Sequence, residues 1–141
     1  HSPFVYAIVR EVFMRSELNT ERRELYDALL NINVAKRRAI QLQNLMEHCK
    51  YSTFKIDCEP QQIKDCDMVI ASIDIPAEQL AALADKAREE KTTLCIMSPS
   101  LDRQRDEACQ AIVATHPCTS VDNRGYLLLF NNYLPKQTFR L

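Results

Sequence analysis

Asp74 closes an apolar segment, Asp67–Asp74 (DMVIASID), that reads as a buried strand, and Pro76 opens the helix that follows. A carboxylate at that point stands at the carboxyl edge of a parallel strand, where open α/β sheets bind their ligands. Two readings stay open: a ligand-facing acid, or an acid that favours the positive end of the next helix. Asp57, in Asp57-Cys58-Glu59, also follows a strand end, and it reads either as a second ligand-facing acid or as part of a solvated loop. Ser98 and Ser100 flank Pro99 after a third apolar strand. They read as loop and cap residues rather than nucleophiles, because no histidine is spaced to activate them. His48 falls late in a helix, where its charged form suits the helix dipole, and His116 precedes the helix-ending Pro117. Neither histidine is assigned a catalytic role.

Composition narrows the chemistry further. The 141 residues contain one glycine, Gly125, where average usage gives about ten. Glycine-rich phosphate and dinucleotide loops are thereby excluded, since both need the backbone freedom and close approach that glycine allows. Six cysteines, at 49, 58, 66, 95, 109 and 118, include no C-x-x-C pair, so the zinc and redox-motif readings lose their main cue. Cys95 sits inside an apolar run and reads as a small buried hydrophobe. Eighteen basic residues balance nineteen acidic ones, which gives no support for a nucleic-acid or membrane-surface partner. Lys36, Arg37 and Arg38 form a basic patch at a helix start and read as a solvated face. No eighteen-residue apolar run and no secretory leader are visible, so a cytoplasmic protein is expected. The first residue is not methionine, which reads as a processed or trimmed chain.

The elements that must position these residues follow from periodicity. Ser2-Pro3 is a helix start, with Val5, Ile8, Val9, Val12 and Phe13 at helical spacing. A second helix is expected from Asn19 or Thr20, with Leu25, Ala28 and Leu29 inward and a break at Asn31–Asn33. A third runs from about Ala35 to Cys49. Its apolar stripe is Ala39, Leu42, Met46 and Cys49, and its opposite face carries Lys36, Arg37, Gln41 and Asn44. From residue 53 the period changes to strands at Thr53–Asp57, Asp67–Asp74 and Thr92–Met97. A helix after Pro76 and another ending at His116-Pro117 alternate with them. A closing hairpin, Cys118–Asp122 and Tyr126–Asn131, turns at Asn123-Arg124-Gly125. The tail from Tyr133 is expected to reach only an edge, because Pro135 cannot donate to a ladder. Such alternation implies right-handed crossovers and a mostly parallel sheet with helices on both faces. The whole chain is expected to be one α/β domain, with an N-terminal helical pair (1–33) and a core (34–141).

Several segments resemble the S-adenosylmethionine-dependent methyltransferase family, whose Rossmann-like fold ends in an antiparallel hairpin. The opening HSPFVYAIVREVF resembles the first helix of a mostly Bacteroidetes group with an HSPFVF-like start. DMVIASID resembles the family's fourth strand, TTLCIMSPS the fifth strand and its loop. RQRDEACQAIVATHPCTSVDNRGYLLLFNN with PKQTFRL resembles the last helix, hairpin and tail.

The departures matter equally. The acidic, glycine-rich loop after the family's first strand has no counterpart, and roughly two strand–helix units are missing. Ile75 and Pro76 replace the glycine after the fourth strand. Ser98 and Pro99 replace the two acids after the fifth, and only Asp74 keeps its place in the pattern. The resemblance implies a reduced Rossmann-like methyltransferase fold, with Asp57, Asp74 and Ser98 as the positions a retained cofactor pocket would use. Asp57 would there hold a ribose. The expected function is a degenerate methyltransferase-like protein that needs no cofactor and acts as a binding module, as a homodimer or with a protein partner. The alternative is an active methyltransferase with an altered S-adenosylmethionine pocket.

Overall fold

The structure, a computed structural model, describes residues 2–141 and divides after residue 52 into two compact units. In the first, helix α1 (Pro3–Ile8) starts as its sequence dictates: the Ser2 hydroxyl accepts the Val5 N–H at 3.3 Å and Pro3 occupies the first turn. A wider π-helical turn, Val9–Phe13, continues it. Helix α2 spans Glu24–Asn31 and helix α3 spans Lys36–Cys49, so α3 clusters with the two helices before it rather than with the sheet.

Helix α2 begins four or five residues later than its sequence pattern predicts. The polar face of α3 is the cause. Gln41 and Asn44, on the face opposite the apolar stripe, and Gln43 are each only 1% exposed. Their amides hold the backbone of the preceding segment. Asn44 accepts the Asn19 N–H at 2.7 Å and donates to the Glu17 carbonyl at 2.9 Å. Gln41 donates to the Phe13 carbonyl, and Gln43 accepts the Tyr26 N–H at 3.0 Å. A segment whose N–H and C=O groups are already taken by side chains has no reason to coil into a helix. Burial of an amide is tolerable only when its hydrogen bonds are made, and here the backbone of 13–26 makes them.

The second unit is a six-stranded sheet in the order β1-β2-β3-β5-β4-β6. The strands are β1 (Phe54–Ile56), β2 (Met68–Ala71), β3 (Thr93–Met97), β4 (Thr119–Asp122), β5 (Tyr126–Leu129) and β6 (Gln137–Arg140). The α/β class holds, but the sheet is mixed rather than mostly parallel. β1, β2 and β3 pair in parallel, β5 runs antiparallel to both β3 and β4, and β6 pairs in parallel with β4. The hairpin is the reason: a three-residue turn forces reversal, and the reversed strand inserts between β3 and β4 instead of lying outside them. β6 is an edge strand, as expected of the tail; Pro135 lies before it, and the Thr119 hydroxyl donates to the Pro135 carbonyl.

Helices α4 (Ala77–Glu89) and α5 (Arg103–Thr115) share one face of this sheet. Leu80, Leu83, Cys109 and Ile112 pack with Val69, Leu94, Ile96, Leu127 and Leu129 in a single cluster. Helices on both faces are therefore not what residues 53–141 build. The opposite face, with Met68, Ile70, Cys95, Val121, Tyr126 and Leu128, is also buried, which explains why β2, β3 and β5 are apolar throughout. No described helix is long and apolar enough to cross a membrane.

Turns are made almost without glycine. Among the described residues eight non-glycines take left-handed backbone, including Lys50 after α3, Asp57 after β1, Lys91 before β3, Ser98 after β3 and Arg124 in the hairpin. In the hairpin it is Arg124 (φ 65°), not Gly125, that turns the chain.

Asn44→Ala is expected to lower stability by about 2 kcal/mol, because it strands the Asn19 N–H and the Glu17 carbonyl. Urea unfolding followed by far-UV circular dichroism measures it. A loss under about 0.5 kcal/mol, the range of an ordinary surface change, would show that water replaces the amide.

Candidate functional site

The carboxyl ends of β1, β2 and β3 line up on one edge, and Ser72 stands at its centre. The Asp57 carboxylate, just past β1, accepts the Ser72 N–H at 2.7 Å and also the Ser72 hydroxyl. That hydroxyl in turn accepts the Asp74 N–H at 3.1 Å. The left-handed φ of 55° at Asp57 folds its side chain back over the end of β2. Its own N–H is held by the Ile70 carbonyl at 2.9 Å.

From the other side comes Arg105, in the first turn of α5 and 3% exposed. Its guanidinium donates to three carbonyls: Met97 (3.1 Å from Nε, 3.0 Å from Nη2), Ile75 (2.7 Å) and Ser72 (3.0 Å). A cation near a helix N-terminus opposes the dipole, so these carbonyls are what keep it there. They belong to the ends of β2 and β3 and to the connection into α4. Arg105 and Asp57 are thus opposite charges joined through the peptide groups of Ser72. Asp102 completes the corner by capping α5 through the Arg105 N–H at 2.8 Å. The cap expected of Ser98 or Ser100 falls to this residue.

The three sequence-predicted positions end differently. Asp57 is half-buried and its carboxylate is bonded within the edge. Asp74 is exposed, and it joins the edge through its backbone N–H alone. Ser98 is half-buried with left-handed backbone, its N–H held by the Gly125 carbonyl at 2.9 Å and its carbonyl by the Leu101 N–H. The structure links Asp57 and Asp74 through Ser72 and leaves the Ser98 side chain outside that network. Ser72 and Arg105 were not picked out by sequence. A serine ending an otherwise apolar strand was a readable signal, whereas Arg105 is one of two arginines in Arg103-Gln104-Arg105 and nothing in spacing singles it out. An open groove of about 750 Å³ lies beside Asp57, between β1 and the short 3-10 turn Pro60–Gln62.

The histidines are not at this edge. His48 is exposed. His116 is 5% exposed, with Nε2 at 2.7 Å from the Phe130 carbonyl. Burial holds its pKa below the usual histidine range, with the Phe130 carbonyl opposing that and the Lys136 charge adding to it. Burial also pushes the Cys109 thiol up to about 11 and raises Cys95 further. No described group of three or more His, Cys, Asp or Glu side chains is arranged to hold a metal ion. No protein-family model, no curated protein and no solved structure matches the chain.

Two expectations follow. Arg105→Lys keeps the charge but cannot fork to three carbonyls, and it is expected to cost about 2–3 kcal/mol, with Arg105→Met costing as much or more. Chemical denaturation reads both; a methionine variant as stable as wild type would contradict the clasp. His116 is neutral in the fold and titrates near pH 6.5 when unfolded. Its contribution to stability is therefore whole above about pH 6.5 and declines as pH falls through that value toward the lower folded pKa. His116→Gln should flatten that part of the stability–pH curve, and an unchanged slope would place the acid sensitivity elsewhere.

Proposed function

We propose that this chain is a methyltransferase-like α/β protein without methyl-transfer activity, acting as a binding or interaction module. The observation that supports it is the Asp57–Ser72–Arg105 network. In a cofactor pocket of the expected kind, the acid after a parallel strand hydrogen-bonds ribose hydroxyls, and backbone at the strand ends gives room for the nucleoside. In this chain Asp57 already accepts both Ser72 donors. A guanidinium occupies the carbonyls of Ser72, Ile75 and Met97. A ligand would have to break charge-assisted hydrogen bonds, each worth about 1.5–3 kcal/mol, before gaining any of its own.

The reversed β5 between β3 and β4 agrees with the hairpin of the resembled family, which favours that ancestry over an unrelated α/β protein. The free Asp74 side chain favours the alternative, an active enzyme with a changed pocket.

Calorimetric titration with S-adenosylmethionine and S-adenosylhomocysteine separates the two. Silence up to millimolar ligand is expected. Binding at about 1 μM, near −8 kcal/mol, with loss of affinity in Asp74→Asn, would overturn the proposal in favour of the enzyme.

A further inference from the structure

The sheet face beneath α5 changes character across its width. Register sets Ile96 beside Leu127 and Leu94 beside Leu129, so β3 and β5 present aliphatic side chains. On the same face β4 presents Ser120 next to Leu129 and Asp122 next to Leu127. β6 then adds Thr138 next to Ser120 and Arg140 next to Asp122. α5 packs on the aliphatic part and leaves a cleft of about 210 Å³ over the polar part, walled on its own side by Asp106, Cys109 and Val113.

The groups in this cleft are incompletely used. Ser120 is 2% exposed and lines the floor of the cleft. Asp106 accepts Gln110 through Oδ2, and Asp122 accepts the Arg124 N–H through Oδ1. Each carboxylate keeps one oxygen without a described partner. Both residues line the cleft together with Cys109. Arg140 lies directly across the ladder from Asp122, yet its guanidinium has neither an ion pair nor a hydrogen bond among the described residues. Opposite charges on adjacent strands that do not pair leave both signs available to something between them.

We propose that this cleft binds a small zwitterion of amino-acid size. Its ammonium sits against Asp106, Asp122 and the Ser120 hydroxyl, its carboxylate on Arg140, and its apolar body on Val113 and Leu127. Size and charge both argue for this class. The cleft is smaller than the roughly 300–1,000 Å³ of pockets for drug-sized ligands, so a nucleoside does not fit. A simple amine would leave Arg140 unanswered, and a simple acid would meet two carboxylates. The proposal does not rest on the cofactor reading of the Ser72 edge.

The test is a ¹H–¹⁵N NMR titration of the full chain with L-alanine, L-leucine and L-lysine. Two analogues of leucine that each carry one charge, 3-methylbutylamine and 4-methylpentanoate, accompany them. At least one amino acid is expected to give saturable shifts at the amides of Ser120, Asp122 and Arg140, at millimolar concentration or below. Each single-charge analogue should bind at least about tenfold more weakly than leucine, about 1.4 kcal/mol. Arg140→Gln, at an exposed edge position, should weaken the amino acid and leave the amine unchanged. Asp106→Asn should weaken the amino acid and the amine but not the acid. Absence of saturable shifts with all three amino acids overturns the proposal. So does an amine that binds as well as leucine, or an Arg140→Gln chain that binds as wild type while its spectrum shows the native fold.

Discussion

Arg105 carries a full charge into a place where solvent barely reaches, and three carbonyl oxygens stand in for its hydration. Those oxygens sit at the ends of β2 and β3 and in the connection into α4, and the Ser72 oxygen also accepts the Ile75 N–H at 3.1 Å. A guanidinium needs several acceptors in a plane, and the chain leaving β2 and β3 supplies them. The arrangement fixes the distance between the ends of β2 and β3 and the entry into α4. By way of Ser72 it also fixes Asp57 at the end of β1. At the edge where open α/β sheets bind their ligands, Asp57 and Arg105 meet one another's strand ends through Ser72.

The same device recurs in the first unit. Gln41, Gln43 and Asn44 are buried on α3 and satisfied by backbone at Phe13, Tyr26 and the irregular segment between them. Polar side chains from regular elements thus hold segments that have no regular pattern of their own. Such contacts add modest net stability, since each replaces a bond to water. Their larger effect is on uniqueness: a segment held at stated carbonyls and amides cannot slide by a residue without leaving them unpaired. At α5 a lysine does comparable work. Lys136 reaches the carbonyls of Val113, Ala114 and His116 and closes the end of the helix that Pro117 stops.

Much of this architecture was legible in the chain. Ser2-Pro3 announced α1, the apolar runs MVIA and TLCIM announced β2 and β3, and the tail forms the edge strand expected of it. Each is a local signal with one physical meaning. What escaped was nonlocal. The delayed start of α2 depends on Asn44, twenty-five residues away from its partner Asn19. The mixed character of the sheet depends on where the hairpin docks, which turn chemistry does not specify. At the candidate site, Asp57 and Asp74 were readable as acids after strands. Whether such an acid meets a ligand or its own chain is decided by Ser72 and Arg105, whose roles exist only once three strand ends are side by side.

The left-handed turns carry a consequence for the unfolded chain. Each non-glycine residue held there strains the native backbone by about 1–2 kcal/mol. A chain with a single glycine also wanders among fewer conformations when denatured, and a glycine at such a site would return about 0.4–1 kcal/mol of disorder to that ensemble. The two effects have opposite sign and similar size at Lys50, Lys91 or Arg124. Scarcity of glycine therefore shifts part of the conformational cost of folding from the loss of chain entropy to strain in eight native turns.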